Sequence, residues 1–215
     1  MKILLLDSGK GILPFIKQII SLKKNNDYYL YMDYDFFPYG NKSERELYKR
    51  LIKLFKRFEN LNLDEVIICC NTLSKIYLTY KIKTSFKVRT ILEINLKNLN
   101  NKHIIVTPLL KSFYQADTRF IACNLASLIE KEDTLEIIEE IKKNNFPERL
   151  ILGCTHYPLI KNILAHYNIK AISYEYDLIA KLPSFTTMNF FVREYEKAIF
   201  KEYFPNVSIH EYSLS

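Results

Sequence analysis

Short apolar runs alternate with amphipathic stretches along the chain. Lys2 to Leu6 reads as a buried strand, and Ile12 to Leu22 as a helix with Ile12, Phe15, Ile16, Ile19 and Ile20 on one face. Tyr28 to Tyr34 predicts the next strand. Ser43 to Leu61 predicts a long helix: Leu47, Leu51, Leu54, Phe55 and Phe58 recur at helical spacing, and Ser43 with Glu46 forms a capping box at its start. Asp64 to Cys69 reads as a strand, Thr72 to Tyr80 as a helix, and Val88 to Ile91 as a short strand followed by Ile94 to Leu99. Then come a strand from His103 to Val106, a short helical start from Lys111 to Gln115, and a strand from Arg119 to Cys123. Leu125 to Lys131 and Thr134 to Asn144 predict helices, Arg149 to Leu152 a strand, Pro158 to His166 a helix, and Ala171 to Tyr174 a strand. Phe191 to Phe204 predicts a terminal helix.

Strands that alternate with helices argue for parallel sheets covered on both faces. Ligands of such sheets sit at the carboxyl ends of the strands. Three polar clusters fall at those ends: Asp7-Ser8-Gly9, Cys70-Asn71-Thr72 and Cys154-Thr155-His156. The last two give a weak internal duplication, a strand followed by a cysteine and hydroxyl or amide groups, once in each half. The predicted fold is therefore α/β, with two pseudo-symmetric lobes, each a mostly parallel sheet flanked by helices, and an active site in the cleft between them.

At 215 residues the chain is long enough to bury roughly 70% of its unfolded surface without staples. Its four cysteines form no Cys-x-x-Cys pair and no zinc-ligand spacing with any of the four histidines, so no metal site is expected. Adjacent Cys69 and Cys70 make a poor disulfide pair, because successive strand side chains point to opposite faces. Reduced thiols fit a cytoplasmic location. The apolar run Ile3 to Leu6 is too short for a signal peptide, and no stretch approaches a membrane span. The net charge of +7 is spread over scattered lysines, which reads as a solvated surface with a modest pull on anions; no membrane partner is expected, and nucleic acid is disfavoured as one.

Only four glycines are present, Gly9, Gly11, Gly40 and Gly153, and all lie beside polar triplets, where backbone must bend or approach a ligand. Each site feature also has a structural explanation. Cys69 and Cys123 read as small buried hydrophobes, Asp7 as a helix cap, and His156 as the start of a helix. Cys70 and Cys154 fit a chemical role better, since both are followed by hydrogen-bonding groups where a sheet opens. Two thiols facing one substrate suit proton transfer at carbon: one removes the α-proton while the other delivers a proton to the opposite side. No dinucleotide fingerprint or phosphate loop is present, so no cofactor is expected.

The motifs Leu6-Asp7-Ser8-Gly9-Lys10-Gly11, Pro38-Tyr39-Gly40-Asn41-Lys42-Ser43, Cys70-Asn71-Thr72-Leu73-Ser74 and Leu152-Gly153-Cys154-Thr155-His156-Tyr157-Pro158-Leu159 run in order along the chain. Weaker matches are Thr107 to Ser112, Ala122 to Glu130 and Ser184 to Thr187. In these the chain resembles the cofactor-independent aspartate/glutamate racemases, and within them the glutamate racemase branch. The resemblance implies catalytic roles for Cys70, Cys154, Asp7 and His156, with Cys154 taking the proton from L-glutamate and Cys70 from the D-enantiomer. It implies substrate binding by Asp7, Ser8, Pro38, Tyr39, Gly40, Cys70, Asn71, Thr72, Thr155 and His156. It also implies that the C-terminal segment returns to the first lobe, with boundaries 1–92 plus 178–215 for the first and 93–177 for the second, and it implies a small-molecule substrate, glutamate, a homodimer, and a D-glutamate product that enters peptidoglycan. The chain departs from the family pattern at Ile12 and Asn124, and between Lys111 and Arg149 it is shorter. A racemase of aspartate or another amino acid is the neighbouring reading, and a binding protein on the same fold is the alternative of a different class.

Overall fold

The computed structural model describes residues 1–214. The first half runs β1 (Lys2–Asp7), α1 (Leu13–Ser21), β2 (Asp27–Met32), α2 (Glu44–Phe58), β3 (Glu65–Ile68), α3 (Asn71–Tyr80), β4 (Lys87–Thr90) and α4 (Ile91–Lys97). The second continues with β5 (His103–Val106), α5 (Pro108–Ser112), β6 (Phe120–Ala122), α6 (Ala126–Lys131), α7 (Thr134–Lys143), β7 (Arg149–Leu152), α8 (Lys161–His166), β8 (Lys170–Ile172) and α9 (Glu175–Ala180). The chain ends with β9 (Asn189–Val192), α10 (Glu194–Tyr203) and β10 (Ile209–Glu211).

The strands form two sheets, and every pairing in them is parallel. The six-stranded sheet has the order β10-β9-β2-β1-β3-β4, and the four-stranded sheet β6-β5-β7-β8. The order β2-β1-β3-β4 in the first is repeated strand for strand in the second. β3 therefore corresponds to β7, so the cysteine after β3 and the cysteine after β7 occupy equivalent places.

The central strand β1 is buried on both faces, which is why it reads as an unbroken apolar run. Ile3 and Leu5 join one core with α1 residues Phe15, Ile16 and Ile19. Leu4 and Leu6 join the other with α2 residues Leu47, Leu51, Leu54, Phe55 and Phe58. Fully burying such a side chain contributes roughly 1.5–3 kcal/mol. The capping box at Ser43 and Glu46 is formed in both directions, through the Ser43 side chain and the Glu46 carboxylate.

The predicted terminal helix starts too early. Phe191 lies in β9, and the helix begins at Glu194. Asn189 to Phe191 pair with Asp27 to Tyr29 of β2, and Phe190 and Val192 face the core while Phe191 does not. That alternation has a period of two, which a run of aromatic and branched residues conceals when it merges into a helical pattern. A buried Arg193 clamps this return. Its guanidinium lies 3.7 Å from the centre of the Tyr31 ring and donates to the Met32 carbonyl at 2.7 Å, while Glu196 accepts from Met32 N–H at 2.6 Å. The segment 171–174 likewise divides, with the strand ending at Ile172 and α9 following.

Candidate active site

Cys70 follows β3 and caps the N-terminus of α3, while Cys154 follows β7. Both are buried, each about 7% exposed, and both line one cavity of about 170 Å³ at the carboxyl ends of the strands. Ser8, Pro38, Tyr39, Gly40, Asn71, Thr72 and His156 line it as well. Of the expected site residues, Asp7 and Thr155 do not reach its wall. They stand behind it, where the Thr155 hydroxyl donates to Asp7 Oδ2 at 2.9 Å. Asp7 also accepts from Gly9 N–H at 3.2 Å, so it is the β1 terminus and not a helix cap. Burial raises the pKa of Asp7, against the opposing pull of His156 and the Thr155 hydrogen bond.

Gly11 is required by this crowding. A Cβ there would come within 2.4 Å of Thr155 Oγ1, 2.8 Å of Asp7 Oδ1 and 3.0 Å of His156 Nδ1. Gly153 is required by packing, since its Cβ would stand 2.6 Å from both Ile104 and Val106. Gly40 differs from expectation: a Cβ there would meet nothing within 4 Å, and no glycine of the chain has a positive φ. The site marks glycine by close approach, not by turn geometry. Ile12, at a departure from the family pattern, is buried in the core beside α1.

His156 links the two sides of the Cys154 environment. Its Nδ1 lies 3.9 Å from Cys154 Sγ, and its Nε2 lies 2.7 Å from Glu130 Oε2. Burial works against charge on this imidazole, but the hydrogen bonds to Cys154 and Glu130 outweigh it and carry the pKa to about 10. Glu130 answers in the opposite sense: burial opposes its charge, yet His156 and the surrounding donors hold its pKa below the usual value. The pair is an imidazolium and a carboxylate at neutral pH. Cys70 has no such partner. Burial first, and the negative charge of Asp7 second, push its pKa well up, against backbone N–H groups of Leu73 and Thr72. It is a neutral thiol.

Other wall groups are held from outside. The Tyr39 hydroxyl donates to Asp33 at 2.7 Å, and Asp33 in turn receives the Arg50 guanidinium through both oxygens. The Thr72 and Thr107 hydroxyls meet across the cavity wall at 3.2 Å. Asn71 Oδ1 accepts from Asn95 at 2.8 Å, and the buried Asn71 Nδ2 has no partner among the described residues, which leaves a free donor on a cavity-lining residue. Among the described residues no cluster of three or more His, Cys, Asp or Glu side chains fits a metal ion.

Sequence reasoning missed Glu130, and it missed Phe37, Asn41, Thr107, Pro108, Asn124, Ala126 and Ser127 on the cavity wall. Glu130 ends the weakly matching stretch Ala122 to Glu130, but it is one of 24 acidic residues and sits on a short helix, so its pairing with His156 is what marks it as part of the site. Cys69 and Cys123 are buried, as expected of small hydrophobes, and all four cysteines are free thiols.

A topology repeated in two sheets, with a thiol at the equivalent strand end of each and both thiols on one cavity, defines a two-lobed α/β protein with a pair of cysteines in its cleft. No protein-family model matches the chain. Individual proteins do. The chain is 31% identical over 216 aligned positions to the glutamate racemase of Fusobacterium nucleatum, covering 85% of this chain and 80% of that protein. It is 30% identical to that of Buchnera aphidicola, over 83% and 80%. The chain belongs to the glutamate racemase family and is an isomerase. The same fold is seen in the crystal structure of glutamate racemase from Francisella tularensis in complex with D-glutamate, at a TM-score of 0.76 and 23% identity, covering 100% of this chain and 98% of that one. It is seen again in the Campylobacter jejuni enzyme, at 0.75 and 24%, over 97% and 100%.

Proposed function

We propose that this chain interconverts L- and D-glutamate by a two-base proton transfer between Cys70 and Cys154. The observation that carries the reading is the placement of the two thiols at equivalent strand ends on one small cavity. In the L-to-D direction Cys154 removes the α-proton, and the neutral Cys70 thiol supplies one to the other side of the carbon. The His156 imidazolium faces the Cys154 thiolate before the transfer, and the negative charge passes from sulfur to the substrate as the proton is taken. In the D-to-L direction the roles reverse. Asn71 Nδ2, the Ser8 and Thr72 hydroxyls and the nearby backbone N–H groups receive the α-carboxylate. Pro38, Tyr39 and Gly40 shape the other end of the cavity. Asp7 acts from behind the wall by fixing Thr155 and by keeping Cys70 protonated.

The test is proton NMR and circular dichroism with L-glutamate in D₂O and no added cofactor. Loss of the α-proton signal together with the optical signal is expected, and both losses depend on both cysteines. Full activity in Cys70→Ala or Cys154→Ala would overturn the two-base reading. We take residues 1–92 plus 178–215 as the first lobe and 93–177 as the second. We also read the protein as a cytoplasmic homodimer whose D-glutamate enters peptidoglycan. Free thiols support the compartment, and no helix among the described residues is long and apolar enough to cross a membrane. Sedimentation velocity tests the dimer.

A further inference from the structure

Glu130 belongs to α6, in the same half of the chain as the His156 it holds. Its carboxylate is also held by two groups from the β1–β2 region. Lys10 N–H donates to Oε2 at 3.0 Å, and the Tyr34 hydroxyl donates to Oε1 at 2.8 Å. Nothing about catalysis requires a phenol there, since Tyr34 does not line the cavity. Its geometry has one evident product: both Glu130 oxygens are fixed, Oε1 by Tyr34 and Oε2 by His156 and Lys10. A carboxylate held at one oxygen only is free to rotate about its last torsion, which is broad. Gly9 permits the approach, because a Cβ there would come within 2.6 Å of Glu130 Oε2.

We propose that Tyr34 is a positioning residue for the Cys154 half of the reaction, donating from the turn after β2 to Glu130 so that His156 is aligned on Cys154 only when the two lobes meet. The proposal rests on the reading of Cys154 and His156 as an acid–base pair. Burial, and then the Glu130 charge, raise the Tyr34 pKa far above its ordinary value, so the phenol stays a donor throughout the working range. Lys10 closes the outer end of the same contact, through its ammonium to Glu132 Oε1 at 2.5 Å and the Glu130 carbonyl at 3.3 Å. The contact therefore joins the lobes at the Cys154 side, whereas Cys70 receives nothing from it.

The experiment compares Tyr34→Phe with the unaltered protein, using glutamate deuterated at the α-carbon in each enantiomer. Loss of a hydrogen bond to a charged group predicts about a tenfold lower kcat/KM. The decisive readout is the primary isotope effect on kcat/KM. Raising the barrier on the Cys154 side alone makes it grow for one enantiomer and shrink for the other. Glu130→Gln, which weakens the acceptor in place of the donor, is the second variant and reproduces that opposed pattern, growth for one enantiomer and shrinkage for the other. Adding Tyr34→Phe to Glu130→Gln costs less than it does alone, because both act through one carboxylate. Tyr203→Phe, which removes only a 3.3 Å hydrogen bond to exposed Glu132, changes neither effect. Isotope effects that stay fixed or move in parallel, or losses that are fully additive, overturn the role of Tyr34. Turnover retained in Cys154→Ala would instead overturn the acid–base reading, so the two failures are distinguishable.

Discussion

Cys70 and Cys154 occupy equivalent positions in a repeated strand order and have different surroundings. Cys70 leads straight into α3, and the groups that favour charge on it are backbone N–H groups of the first helical turn. Opposing them are burial and the charge of Asp7. Cys154 leads into a turn instead, with the first helical residues at Tyr157, and the space so freed is filled by His156 and Glu130. Repeating a fold thus reproduces where a thiol stands, while the residues after each strand decide the charge it stands in. The acid–base inequality of the site is built by a difference in loops.

Removing either thiol is the harshest test of this comparison. Cys70→Ala and Cys154→Ala should each lower racemisation by about a hundred- to ten-thousandfold, the range of a general acid or base, with an unchanged far-ultraviolet dichroism spectrum. Next comes the crowded glycine. Gly11→Ala should destabilise the fold by about 1–3 kcal/mol, as overpacking does, measured by urea denaturation, and should disturb the Cys154 side through Thr155 and His156. The imidazolium predicts a pH effect of definite sign. Its folded pKa, about 10, lies above the ordinary 6.5, so its stabilising contribution is complete below pH 6.5 and lost as pH rises through 10. Urea titrations from pH 6 to 10 should show this loss, and His156→Asn should remove it. The smallest effect concerns Cys70. With the Asp7 charge gone, Asp7→Asn should speed alkylation of Cys70 by about threefold at pH 8, read by mass spectrometry, since the thiolate is the nucleophile.

Much of this was legible in the chain because the relevant signals are local. Parallel strands buried on both faces leave apolar runs, and the polar triplets stand immediately after them. Ser43 and Glu46 announced a helix start for the same reason. What stayed hidden depends on contacts between distant segments. Glu130 reaches His156 across 26 positions, and Asp33 reaches Tyr39 and Arg50 in a network no short motif displays. β9 was obscured by aromatic residues that suit either period, and β10, only three residues long, is too short to show a period. The depth of Asp7 and Thr155 behind the cavity wall was not readable, because sequence spacing gives an address along a strand and not a depth.

The repeated strand order has a thermodynamic corollary. A chain of L-residues has no mirror plane to offer two mirror-image molecules; doubling one topology is the approximation available to it. Enantiomers have equal free energy in water, so the equilibrium constant between them is unity whatever the protein does. The ratio kcat/KM must therefore be the same in both directions. The electrical inequality between the Cys70 and Cys154 surroundings is invisible in that ratio for the unlabelled enantiomers; it is expressed in how kcat and KM are divided within it and in the isotope effects.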